Sequence, residues 1–219
     1  MPAGRFHLHR ALGTIYNTWG YVVKRVWVRR FFAAARNIVP FTGELGGKGP
    51  LLVFEDCDLE AAARKAAGQY DDSGQVCLAG TRLLVQDSVR DAFLELFHRF
   101  ADEHVLGDPR DDATTVAPMI HPDHVDRVMG FIERARANGD EIVRGGKRLE
   151  RGLWVEPTLI VPRSNDSEVV QHEVFGPVAT VMPFAESAEV NALVAAGGGG
   201  LVTSVYSDDK DFVRKTVMG

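Results

Sequence analysis

Residues 82–100 read RLLVQDSVRDAFLELFHRF. Arg82–Gln86 is a short, largely apolar run with strand character. Val89, Phe93, Leu96, Phe97 and Phe100 then recur at three- and four-residue spacing, which gathers them on one face of a helix. Ser88 stands at the expected N-cap with Asp91 three residues later, close to a capping box. A buried strand running straight into an amphipathic helix is the building unit of an α/β domain.

The same unit recurs on both sides. Leu51–Phe54 reads as a buried strand, and Asp58 as the N-cap of an alanine-rich helix running from Leu59 towards Tyr70. His121-Pro122 opens a helix with proline at its first position; Val125, Val128, Met129 and Ile132 form its buried face and Gly139 closes it. Strands are expected near 141–144, 154–161, 178–183 and 201–206, and helices over 187–196 and 209–217, the first of these ending in Gly197–Gly200. Strands alternating with helices of ordinary length predict an α/β fold with a largely parallel sheet. Towards the start, Phe31–Asn37 reads as a helix end stopped by Pro40, before a turn at Gly43–Gly47. Gly20–Phe32 mixes Arg, Lys and aromatic residues without a period and fits a basic amphipathic helix or a strand.

Composition narrows the function. The chain has 219 residues, 45% hydrophobic and 25% charged, as expected of a globular domain. A net charge of −5 gives no basic face for nucleic acid. Two cysteines, Cys57 and Cys77, are too few for a disulfide framework and suit a reducing compartment, where a free thiol can act as a nucleophile. Without a long apolar run or a leader-like N-terminus, no membrane association is expected and the cytoplasm is the default location. His121, His124 and His172 lack ligand spacing, so no metal site is expected.

Three segments carry candidate chemistry. Cys77 lies in Asp72-Ser73-Gly74-Gln75-Val76-Cys77-Leu78-Ala79-Gly80, a small glycine-flanked turn that lets a thiol stand clear of the backbone. A free thiol is only about 3% ionised at pH 7, so a nucleophilic cysteine needs a base or a favourable field. Taken on its own, Cys77 is more often a buried small hydrophobe than a nucleophile. Glu44 sits in Gly43-Glu44-Leu45-Gly46-Gly47-Lys48, a tight turn before a strand, where a lone acid is ordinarily a turn residue and Lys48 ordinarily a solvated one. In Glu173-Val174-Phe175-Gly176-Pro177-Val178 a carboxylate and a ring stand two residues apart, suited to hydrogen bonds with a ribose and to a flat ring. The plainer alternative is a strand-entry turn with Phe175 in the core. Cys57, after two acids, reads as structural.

Taken together, Glu-Leu-Gly-Gly-Lys at 44–48, Gly-Gln-Val-Cys at 74–77 and Glu-Val-Phe-Gly-Pro-Val at 173–178 resemble the aldehyde dehydrogenase superfamily in order and spacing. Phe54–Leu59, Val105–Pro109 and Trp154–Leu159 agree as well, and the likeness covers about residues 33–206. The resemblance implies the family's Rossmann-like catalytic domain over 48–219, with 33–47 the remnant of an NAD-binding domain and 1–32 a divergent segment. It implies oxidation of a small aldehyde to an acid with NAD or NADP. Cys77 would be the nucleophile, passing through a thiohemiacetal and a thioester, with its backbone N–H an oxyanion donor. Glu44 would activate the hydrolytic water. Leu45, Gly46, Glu173 and Phe175 would contact the nicotinamide end of the cofactor.

The departures are specific. The family's upstream half, with its pyrophosphate turn and second oxyanion donor, has no counterpart in residues 1–30, and its closing segments and oligomer strand would follow Gly219. The sequence therefore reads as a catalytic-domain fragment of a homo-oligomeric enzyme. A non-catalytic relative that binds no dinucleotide and a cofactor-free thioesterase are the alternatives. Gly43 replaces a usual leucine, while Asp71 and Asp72 replace an aromatic residue and an asparagine and are expected to oppose ionisation of the nearby thiol.

Overall fold

The computed structural model describes residues 21–43 and 46–218. Its elements are α1 (Tyr21–Arg36), β1 (Pro50–Val53), α2 (Leu59–Ala67), β2 (Arg82–Gln86), α3 (Arg90–Asp102), α4 (Pro122–Ala137), β3 (Glu141–Arg144), β4 (Thr158–Val161), α5 (Glu168–Gln171), β5 (Val178–Phe184), α6 (Ser187–Ala195), β6 (Ser204–Tyr206) and α7 (Lys210–Met218). Six strands form one sheet in the order β3-β4-β5-β2-β1-β6. All neighbours pair in parallel except the edge strand β3, which runs antiparallel to β4.

Side chains alternate across this sheet, and both faces are covered. Leu51, Val53, Leu83 and Val85 pack with Ala62, Ala66, Phe93 and Phe97 of α2 and α3. Leu52, Leu84 and Ile160 point the other way, onto Val125, Val128 and Ile132 of α4 and Val169 of α5. A strand covered on both faces is apolar at successive positions, which is why β1 and β2 read as continuous hydrophobic runs. Tyr70, fully buried in the turn after α2, donates its hydroxyl to the Thr158 carbonyl at 2.9 Å and so ties that turn to β4.

The α/β class and parallel sheet agree with the sequence reading, as do the caps of α2 and α4. Asp58 Oδ1 accepts the Ala61 N–H at 3.0 Å, and His121 Nδ1 accepts the Asp123 N–H at 3.2 Å with Pro122 opening the helix. Four expectations need correction. The Ser88–Asp91 box does not form: a short 3₁₀ turn spans Asp87–Val89, and Ser88 donates to Glu55 Oε2 at 2.7 Å instead. The α2 helix ends at Ala67, because Gly68–Gly74 turns tightly, with Asp72 and Ser73 at positive φ. The 154–161 strand begins only at Thr158, since Pro157 has no N–H and the Glu156 N–H goes to the Lys147 carbonyl. Only Ser204–Tyr206 of the 201–206 stretch pairs in the sheet. Residues 21–32 are helical, which settles the open choice there. No described helix is long and apolar enough to cross a membrane.

Candidate active site

Parallel pairing carries the three candidate segments to one place. Gly46–Gly49 enters β1, the Cys77 turn enters β2 and Glu173–Pro177 enters β5, and β1, β2 and β5 are adjacent in the sheet. Ligands of open α/β sheets usually gather beyond the carboxyl ends of the strands. Here the candidate residues gather at the entry end.

Close backbone contacts lock the segments together. The Gly47 N–H donates to Glu173 Oε1 at 2.7 Å, a buried bond between positions 126 residues apart. A Cβ on Gly47 would fall 1.7 Å from the Cys77 carbonyl oxygen, so only glycine permits that approach. Gly74 has φ +65°, and a Cβ there would fall 2.2 Å from the Gly176 oxygen. Gln75 fixes the thiol turn from both ends of its amide: Oε1 accepts the Ile120 N–H at 3.1 Å and Nε2 donates to the Asp72 carbonyl at 3.1 Å. Cys77 itself is half-buried.

The third segment is clamped from α4. Arg127 donates to the carbonyls of Val174 and, at 2.9 Å, Glu173, while His124 Nε2 lies 2.6 Å from the Phe175 carbonyl. His124 and Arg127 stand one turn apart, so one helical face holds three successive carbonyls. Phe175 has φ +56°, unusual for a residue with a side chain, and the clamp is what keeps it there. Burial holds the His124 imidazole below the usual histidine range; the bond to Phe175 opposes this and Arg127 adds to it.

A small pocket is lined by Lys48, Gly74, Val76, Thr81, Glu173 and Phe175. Glu173 is 5% exposed and Lys48 2% exposed. The burial of Lys48 corrects its reading as a solvated turn residue. Its amine is pushed down to about 7, chiefly by burial and then by Arg82, with Glu173 acting in the opposite direction. A buried carboxylate and an aromatic side chain thus line one pocket. Among the described residues no group of three or more His, Cys, Asp or Glu could hold a metal ion.

The structure thus brings Gly46, Cys77, Glu173 and Phe175 to one region, while Glu44 and Leu45 lie outside the described residues. Asp71 and Asp72 are both exposed, and Asp71 Oδ1 lies 3.5 Å from His104 Nδ1. Sequence reasoning gave Lys48, His124 and Arg127 no place in the site. The i, i+3 spacing of the last two on a helix was the available signal. Cys57 agrees with its structural reading: burial, then Asp56 and Asp58, push its thiol up to about 11.

Comparison with known proteins places the chain in a family. Residues 28–218 match the sequence profile of the aldehyde dehydrogenase family. The chain is 39% identical over 191 residues to betaine aldehyde dehydrogenase of Cereibacter sphaeroides, covering 86% of this chain and 40% of that protein. It is 38% identical over 190 residues to the protein of the same name from Sinorhizobium fredii, covering 84% and 39%. Its fold matches the crystal structure of NAD-dependent aldehyde dehydrogenase from Sinorhizobium meliloti with a TM-score of 0.84 and 36% identity, covering 89% of this chain and 39% of that one. Betaine aldehyde dehydrogenase from Staphylococcus aureus, crystallised with NAD+, superposes with a TM-score of 0.82 and 35% identity, covering 89% and 40%. The chain spans about two-fifths of the length of the relatives it matches.

Proposed function

The chain belongs to the aldehyde dehydrogenase family, and from that premise we propose that it carries the thiol site of an enzyme oxidising an aldehyde to a carboxylic acid with NAD or NADP. One observation carries the reading: the Cys77 turn, the Gly46–Gly49 turn and the Glu173–Phe175 segment meet at the entries of three adjacent strands, joined by the Gly47–Glu173 bond.

In this reading the Cys77 thiolate adds to the aldehyde carbonyl to give a thiohemiacetal, whose oxyanion the Cys77 backbone N–H faces, and loss of its hydride to a bound NAD or NADP would leave a thioester. Glu44 serves as the base, taking a proton from the water that hydrolyses the resulting thioester. Leu45, Gly46, Glu173 and Phe175 hold the ribose and nicotinamide of the cofactor, which supplies the hydride acceptor when bound. Residues 48–219 act as the catalytic domain, 33–47 as a remnant of the NAD-binding domain and 1–32 as a divergent N-terminal segment. The two free thiols suit a cytoplasmic setting, and assembly into a homo-oligomer accords with the family. Betaine aldehyde, named in the closely similar relatives, is the first substrate to try.

The test is calorimetric binding of NAD and NADP to the chain, together with reduced-cofactor absorbance over a panel of aldehydes that includes betaine aldehyde. Saturable binding and turnover lost in Cys77→Ala and Glu44→Gln are expected. Absence of both binding and turnover in the wild-type chain rejects the proposal for this polypeptide.

A further inference from the structure

Helix α4 carries a row of side chains that the proposed reaction does not use. His124, Arg127 and Val128 lie at i, i+3 and i+4, on one face of the helix. All three meet the Glu173–Gly176 segment. Arg127 donates to the Glu173 carbonyl at 2.9 Å and to the Val174 carbonyl. His124 Nε2 lies 2.6 Å from the Phe175 carbonyl, and a carbonyl only accepts, so the imidazole donates from Nε2. Gly176 approaches Val128 so closely that a Cβ on it would fall 2.6 Å from Val128 Cγ2. Four successive residues are thus seated on one helical face. The far side of the segment is held as well: Glu173 Oε1 accepts the Gly47 N–H at 2.7 Å, beside the Cys77 backbone. Glu173 is therefore fixed at its backbone by α4 and at its carboxylate by the Gly47 turn. Phe175, at φ +56°, would relax to extended backbone unless held. Both side chains line the pocket.

We propose that Arg127 and His124 are positioning residues of the cofactor pocket: through the backbone of Glu173–Phe175 they set where the Glu173 carboxylate and the Phe175 ring stand. The role rests on the function proposed above. Arg127 acts on Glu173, and His124 on Phe175. Arginine suits its task because a planar fork reaches two successive carbonyls at once, which the single ammonium of lysine does not reproduce. The Phe131 ring, one turn further along α4, lies 5.0 Å from the Arg127 guanidinium and steadies the fork. Loss of either residue falls on cofactor binding and leaves the thiol turn, which Gln75 fixes separately, as it is.

The clamp is tested without cofactor by amide hydrogen exchange. In Arg127→Met the Gly47 amide should exchange about ten-fold faster or more, because its acceptor is no longer held, while the Leu84 amide in the middle of β2 keeps its rate. An unchanged Gly47 rate, or equal acceleration of Gly47 and Leu84, overturns the proposal. Should Arg127→Met not fold, Arg127→Lys, which keeps the charge without the fork, is read by the same criteria. The effect on the cofactor is tested by calorimetry with NAD and NADP. Arg127→Lys and His124→Ala should bind about ten-fold or more weakly, and His124→Gln, which can still donate to the Phe175 carbonyl, should stay within about three-fold of wild type. Alkylation of Cys77 by iodoacetamide should keep its wild-type rate in all three. Unchanged affinity in Arg127→Lys and His124→Ala, equal weakening in His124→Gln and His124→Ala, or a Cys77 rate that falls with affinity overturns the role. Failure of the wild-type chain to bind either dinucleotide overturns the functional reading, while the Gly47 amide still decides whether α4 holds Glu173.

Discussion

Replacing Lys48 by methionine should change how stability depends on pH. In the folded chain the amine sits near 7 rather than its ordinary 10.5. At about 1.4 kcal/mol for each tenfold change in proton affinity, that difference amounts to roughly 5 kcal/mol when the amine is charged in both states. Between pH 7 and 10.5 the unfolded chain holds a proton on Lys48 that the folded chain has released. Stability therefore rises with pH across that window, and below it the full penalty applies. From pH 7 to pH 9 this single group contributes a rise of about 2 kcal/mol. Methionine fills a similar volume and never ionises. Urea unfolding of both proteins at pH 7, 8 and 9 should show the variant-minus-wild-type stability falling by about 2 kcal/mol over the range. A difference that stays constant across those pH values would refute the reasoning, since it would mean that the amine keeps its proton in the folded chain.

Three other predictions follow from the structure. Gly74→Ala places a Cβ at 2.2 Å from the Gly176 oxygen on a backbone at φ +65°, so it should destabilise by about 3 kcal/mol or more and loosen the Cys77 turn, seen as a lower midpoint in denaturant. Iodoacetamide at pH 8 should modify Cys57, whose thiol is held near 11, about 100-fold more slowly than free cysteine; comparable rates in peptide mass spectrometry would contradict the assigned environment. His124 is held below the usual imidazole range by burial, so its contribution is fully present above about pH 6.5 and is lost as pH falls through its folded value. Thermal melts from pH 7 to pH 5 should drop in wild type, and His124→Gln should flatten part of that fall.

The fold was legible where one physical rule acted alone. β2 reads directly as apolar because both its faces are covered, and Asp58, His121 and Pro122 announce helix starts whose caps form as expected. It was less legible where a distant partner competed. Ser88 abandons its capping role for Glu55, 33 residues away, and no local pattern carries that information. The candidate site shows the same division. The motif residues Cys77, Glu173 and Phe175 are visible as short segments, but Lys48 takes its character from burial and from the charges of Arg82 and Glu173 on other segments. His124 and Arg127 look like the polar side of an amphipathic helix until the backbone they clamp is in view.

The pairing of β2 with β5, in which Arg82 stands opposite Thr180, also has a kinetic meaning. Nearly a hundred residues separate the two strands, and closing so long a loop costs entropy before the contacts it creates can repay it. Cys77 and Glu173 lie just ahead of those strands, so they come together only after this slow, non-local step. The pocket is then a late product of chain assembly. A core substitution in β2 or β5 that slows their association should delay the arrival of the site by the same factor, without touching any residue in it.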